Sequence, residues 1–133
     1  MRQFSTAGHL LSWAGLIPRL DESAGKRRST RVRRGAPWLK PVLVQCAWAA
    51  ARKKNSYFQA QVLRLKPWRG PKKAAVAVAA SILTTAYHML ADGTCYQDLG
   101  PDHFARRDPA RAAATLANRI CNLGFHVEIR PAA

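Results

Sequence analysis

From Ala74 to Ala91 the sequence contains no Lys, Arg, Asp or Glu. A run this long without charge has few places to go: a core helix or a bilayer. Ala75, Val78, Ala79, Ile82, Leu83, Ala86, Met89 and Leu90 recur at three- and four-residue steps, which predicts a helix with a broad apolar stripe. Pro71 suits its first turn and Asp92-Gly93 its end. The run is mostly alanine, with Ser81, Thr84, Thr85, Tyr87 and His88, and alanine contributes little to bilayer insertion. A buried helix is the better reading, with Ile82 and its neighbours at the centre of the fold.

The rest of the chain breaks into pieces that could pack on such a post. Thr6 caps a short helix carrying His9, Leu10 and Trp13, and Gly15 and Pro18 stop it. Pro37 opens a second helix with Leu39, Val42, Leu43, Cys46, Ala49 and Ala50 on its apolar face. Asn55-Ser56 breaks and recaps the chain. A third helix carries Phe58, Val62 and Leu65 and is expected to end at Lys66-Pro67. Asp108-Pro109 starts a fifth helix, whose buried side would be Ala113, Leu116, Ala117, Ile120 and Leu123. Phe125 to Ile129 alternates like a strand, with no partner strand in the sequence. The expectation is one all-α domain over residues 1–133: about five helices around a long Ala-rich one, a basic loop after the first, and a short C-terminal strand.

Charge narrows the function. The chain of 133 residues has 22 Lys+Arg against 7 Asp+Glu, a formal charge of +15. No acid occurs between Glu22 and Asp92, and the excess lies between Lys26 and Lys73. Such segregation implies a polyanion, nucleic acid before membrane. The densest block is Lys26, Arg27, Arg28, Arg31, Arg33 and Arg34, which would repel itself unless phosphates lie against it. Lys53, Lys54, Arg69, Lys72 and Lys73 sit at helix ends, and Trp38, Tyr57 and Trp68 interleave with the cations as candidates for stacking on bases. A solvated basic loop and ordinary rim aromatics are the plainer alternatives.

Little points to an active site. Cys46, Cys95 and Cys121 are widely spaced, without a CxxC, and suggest neither a disulfide framework nor a zinc site. The four histidines have no metal-ligand spacing. Asp92, Asp98, Asp102 and Asp108 read as caps and turns rather than a metal-holding set. No metal site is expected. Ser23 stands in the small-residue turn Ser23-Ala24-Gly25 just before the cations, which could neutralise a phosphodiester beside it. On the residues alone it is more often a turn residue than a nucleophile.

A resemblance adds to this. The run from Phe4 to Pro18, then Ser23-Ala24-Gly25-Lys26-Arg27-Arg28, Gly35 with Leu39, Leu43 to Ala51, Arg69-Gly70-Pro71-Lys72-Lys73-Ala74 and Tyr96-Gln97-Asp98-Leu99-Gly100 resemble the C-terminal transposase domain of the insertion-sequence DEDD transposases. These are also called bridge-RNA-guided serine recombinases. The resemblance implies a helical domain that grips DNA and a guide RNA, with Ser23 as the nucleophile of a phosphoserine link to DNA. It also implies a separate N-terminal RuvC-like domain whose four acids hold magnesium. That domain and the glycine hairpin before the Phe4 region have no counterpart here, so a truncated or internally started transposase is expected, inactive alone and without a cofactor of its own.

The expected partners are DNA and a guide RNA, with self-association or association with an intact transposase, no membrane, and a cytoplasmic, nucleoid-associated location. A small non-catalytic nucleic-acid-binding protein or regulator is the rival reading. A protein-interaction module docking through Ala-rich helices is a third.

Overall fold

The computed structural model describes residues 3–19, 21–29 and 31–130. The fold is all-α apart from one small hairpin. Its elements are α1 (Ala7–Trp13), β1 (Asp21–Ser23), β2 (Lys26–Ser29), α2 (Leu39–Arg52), α3 (Tyr57–Arg69), α4 (Pro71–Asp92), α5 (His103–Arg107) and α6 (Pro109–Cys121).

Helix α4 is the post. Pro71 occupies its first turn, and Gly93, left-handed at φ 66°, terminates it. By length and hydropathy it could cross a bilayer. Here α1, α2 and α3 each pack against it, and Ala74, Ala75, Val78, Ala79, Leu83 and Tyr87 are buried. Val78 is the largest apolar side chain to be fully buried, and Ile82 lies partly buried beside the core. The centre is therefore one turn N-terminal to the expected position. Ala14, Ala47, Ala74 and Ala79 are fully enclosed. These small side chains let the helices approach closely, while Leu10, Leu43, Val62 and Leu83 supply the apolar bulk. Each of the larger ones contributes about 1.5–3 kcal/mol through burial.

The starts and stops follow local chemistry. The His9 amide donates to Thr6 Oγ1 at 3.3 Å, and Gly15 turns the chain at φ 72°. Ser56 Oγ accepts from the Gln59 amide at 3.2 Å, and Asn55 at φ 56° makes the break before it. Asp108 Oδ1 accepts from the Arg111 amide at 3.1 Å, with Pro109 following at the first helical position. The Tyr87 hydroxyl donates to the Phe4 carbonyl at 3.0 Å, tying the segment before α1 to the post.

Several expectations are corrected. The basic stretch is not a plain loop: β1 and β2 pair antiparallel in register Glu22–Arg27 and Ser23–Lys26. Helix α3 runs through Pro67 to Arg69, because a proline in the last turn gives up only one helical amide bond. On α2 the buried residues are Leu43 and Ala47, with Leu39 and Ala51 packed beside them, while Val42, Cys46 and Ala49 are exposed. The true stripe runs at four-residue steps along Leu39, Leu43, Ala47 and Ala51, one position round from the predicted face.

The C-terminal third differs most. Residues 125–130 belong to no ladder. The only strands among the described residues are β1 and β2, which pair with each other and not with this segment. Helix α6 has the expected amphipathic pattern, yet none of its residues is buried, and Leu116 is 58% exposed. Helix α6 packs against α5 alone, and α5 reaches the bundle only through α3. Helix α5 itself is an added helical turn in what the sequence suggested was irregular.

Candidate nucleic-acid interface

Ser23 and Lys26 flank a two-residue turn. Both central residues are left-handed, Ala24 at φ 51° and Gly25 at φ 72°, as the tightest hairpins require to match strand twist. Gly25 adopts this freely, whereas the Cβ of Ala24 is strained there, at about 1–2 kcal/mol. Ser23 is exposed at the end of β1. Neither strand packs against a helix. The hairpin is an arm standing off the bundle, and the hydroxyl sits close to its tip.

The base of the arm is tied down. Pro18 and Val32 form an isolated antiparallel bridge, and the Arg19 amide donates to the Arg31 carbonyl at 3.0 Å. Lys40 Nζ donates to the Arg33 carbonyl at 3.0 Å. Gly35 lies against the backbone of Ala14 and Gly15 so closely that a Cβ on it would overlap the Ala14 carbonyl. Beside this joint is an aromatic ledge. Phe4 and Trp13 are 5.6 Å apart, and Trp13 meets Trp38 edge-on at 6.1 Å. Trp38 is 65% exposed.

The predicted cations divide between two ends of the bundle. Lys26, Arg31, Arg33 and Arg34 are exposed along the arm. Arg27 and Arg28 lie in β2, and their side chains fall outside the described residues. The short turn after α2 folds α3 back along it, which brings the α3–α4 corner to the end where α2 begins. Arg69, Lys72 and Lys73 are exposed at that corner, the same end as the base of the arm. Lys53 and Lys54, also exposed, sit at the other end of α3. With 13 residues, α3 puts about 20 Å between the two groups.

Among the described residues the ion pairs are His88–Asp92, Arg106–Asp102 and Arg130–Glu128, and none takes a cation from the Lys26–Lys73 stretch. Asp98 and Asp108 are occupied as a turn and a cap, whereas Asp92 and Asp102 face His88 and Arg106 and make no side-chain cap bond. Asp98 Oδ1 accepts from the Tyr57 and Gly100 amides, each at 2.9 Å. Those two bonds hold its carboxyl below the usual range, with help from the Lys53 charge and the Tyr96 hydroxyl. Burial, then the Asp98 charge, pushes the Tyr96 phenol up.

Of the three stacking candidates, Trp38 and Trp68 are open to solvent, Trp68 at 80%. Tyr57 is half-buried, stacked on Phe104 at 5.2 Å and edge-on to His103, so it pins α5 to α3. Two features escaped the sequence reading. Trp13 gave a signal only as a helix residue, and its place in the ledge depends on the Gly35 joint. The second is a row of arginines facing a groove between α3 and α6. The four-residue steps of Arg111, Thr115 and Arg119 could have shown it.

Among the described residues, no group of three or more His, Cys, Asp or Glu could hold a metal ion. The four magnesium-holding acids that the resemblance implies find no fitting set among the described residues. No curated protein and no solved structure matches the chain. Residues 1–63, which contain α1, the whole hairpin arm, α2 and the first half of α3, match the Transposase IS116/IS110/IS902 family.

Proposed function

We propose that this chain is the nucleic-acid-gripping, serine-bearing part of a DNA transposase. The observation that carries the reading is the arm: Ser23 exposed beside its tip, followed by cations that take part in none of the ion pairs among the described residues. The family match over residues 1–63 supports it, because that span includes the entire arm.

In this reading Lys26, Arg31, Arg33 and Arg34 draw the DNA backbone against the hairpin, and Arg27 and Arg28 are assigned the same task. The Ser23 oxygen attacks phosphorus as its proton passes to a carboxylate supplied by the rest of an intact transposase. A Ser23 O–P bond forms, one sugar oxygen leaves and takes up a proton, and the number of phosphoester bonds is unchanged. Cations beside the reacting phosphate stabilise the charge that builds on its oxygens. Arginine suits this, since its planar fork meets two phosphate oxygens at once. The acids that would assist are absent from the described residues, so the chain alone grips DNA without joining it.

The test uses a full-length relative that joins DNA. Replacing its residue equivalent to Ser23 with alanine should remove the covalent protein–DNA adduct and leave binding within about twofold. Adduct formation in that variant would end the assignment. Recovery of a Ser23-dependent adduct from this isolated chain would end the claim that it cannot join.

A non-catalytic regulator that competes with an intact transposase is favoured by one observation, the lack of any acidic cluster among the described residues. It makes Ser23 dispensable while keeping Lys26 and Arg34 essential for binding. A Ser23→Ala chain that still suppressed joining by the intact enzyme would support it.

A further inference from the structure

Helix α6 touches only α5 and stands away from α3, leaving an open groove of about 750 Å³ between them. The groove lies almost wholly beyond the residues that match the transposase family, and it is separate from the arm. Four arginines line it, Arg64, Arg107, Arg111 and Arg119. The carboxylate in its wall, Asp108, is engaged in capping α6. Arg64 lies over the Phe104 ring at 4.9 Å, and Trp68 is exposed at the rim.

We propose that this groove binds a single-stranded stretch of nucleic acid. A cationic trough with one open aromatic face, that of Trp68, suits a strand whose bases are free to stack while its phosphates meet the arginines. A duplex keeps its bases stacked inside and presents phosphates outward, which fits the protruding arm better than a cleft between helices. DNA and RNA share the chemistry read here, phosphodiester and base face. The proposal rests on the nucleic-acid reading of the chain and is independent of Ser23.

The experiment compares the whole chain with the triple variant Arg107→Gln, Arg111→Gln, Arg119→Gln and with Trp68→Ala. The probes are labelled twelve-nucleotide thymidine and uridine oligomers and a random-sequence duplex. Circular dichroism checks that the helices persist, and Arg111→Lys serves as a conservative control that should retain most of the affinity. The triple variant is expected to lose about tenfold or more in single-strand affinity. Its single-strand salt slope should fall by about 2, since each lost phosphate contact removes about 0.7. Trp68→Ala should lose about tenfold through lost stacking, and duplex affinity should change by less than about twofold in both variants. A loss confined to one oligomer supports the proposal and identifies that nucleic acid as the ligand.

Unchanged single-strand affinity in the triple variant, or equal losses for strand and duplex, would overturn the proposal. Polyglutamate displacing the oligomers as well as unlabelled oligomer does would overturn it too, and would favour an acidic protein segment. If the wild-type chain binds the oligomers but not the duplex, the arm reading fails while the groove stands.

Discussion

Gly35 rests on the carbonyl of Ala14, so that two turns of backbone meet where any side chain would collide. The contact joins the end of α1 to the base of the hairpin arm. It also sets Trp13 beside Trp38. Gly35→Ala must move one backbone off the other, and should destabilise the protein by about 1–3 kcal/mol or more, as overpacking does. Gly25→Ala offers the contrast. Its site has open space around it but φ 72°, so the cost is conformational strain alone, about 1 kcal/mol. Urea unfolding of the two variants should rank them in that order. Equal losses would mean that the joint is not rigid.

Which parts of this fold were legible depended on whether the signal was local. Caps and stops were, because Thr6, Ser56, Asp108 and Gly93 act within a few residues of themselves. The hairpin was not. Strand alternation shows in a sequence when one face is buried, and the arm buries neither face on the bundle, so nothing apolar alternates among its cations. The α6 stripe was read correctly as a pattern and wrongly as buried, since periodicity does not say whether a partner helix is there. For the site, the Ser23-Ala24-Gly25 turn was legible from its small residues. The division of cations between two ends of α3 was not, because it depends on how α3 folds back.

The turn itself makes the next prediction. Ala24 sits at φ 51°, where asparagine or glycine is more comfortable. Ala24→Asn should stabilise the hairpin by up to about 1 kcal/mol. Amide exchange at Lys26 to Ser29 should slow correspondingly. Faster exchange would show that the arm gains nothing from relief at this position.

Asp98 gives a pH dependence whose sign is fixed by its bonds. Its carboxyl is held below the ordinary range, first by the Tyr57 amide and then by the Gly100 amide. A depressed carboxylate contributes stability that is full above the unfolded value of about 3.9 and is lost as pH falls through its folded value. The Tyr57 amide is the first of α3, so the bond also places a negative charge at that helix's positive end. Asp98→Ala should cost about 0.5–1 kcal/mol at pH 7, the low end for a cap in so exposed a place. By pH 3 the difference between variant and wild type should have shrunk. A gap that stays constant down to pH 2.5 would rule out the carboxylate as its source.

The two-ended charge distribution separates gripping residues from bystanders. Arg33 and Arg34 on the arm share one end of the bundle with Lys72 and Lys73, while Lys53 and Lys54 lie at the other end of a helix 13 residues long. That separation of about 20 Å is twice the Debye length of about 10 Å in 0.1 M salt. A duplex seated on the arm would therefore not feel the far pair. Arg33→Gln with Arg34→Gln should weaken duplex binding and lower the salt slope by about 1.8, at about 0.9 per lost contact. Lys72→Gln with Lys73→Gln should act in the same direction. Lys53→Gln with Lys54→Gln should leave both slope and affinity nearly unchanged at 0.1 M salt, and its effect should emerge only near 0.01 M, where the Debye length reaches about 30 Å. If all three pairs lowered the slope equally at 0.1 M, the nucleic acid would have to wrap the bundle from end to end, and the arm would lose its standing as the place where binding begins.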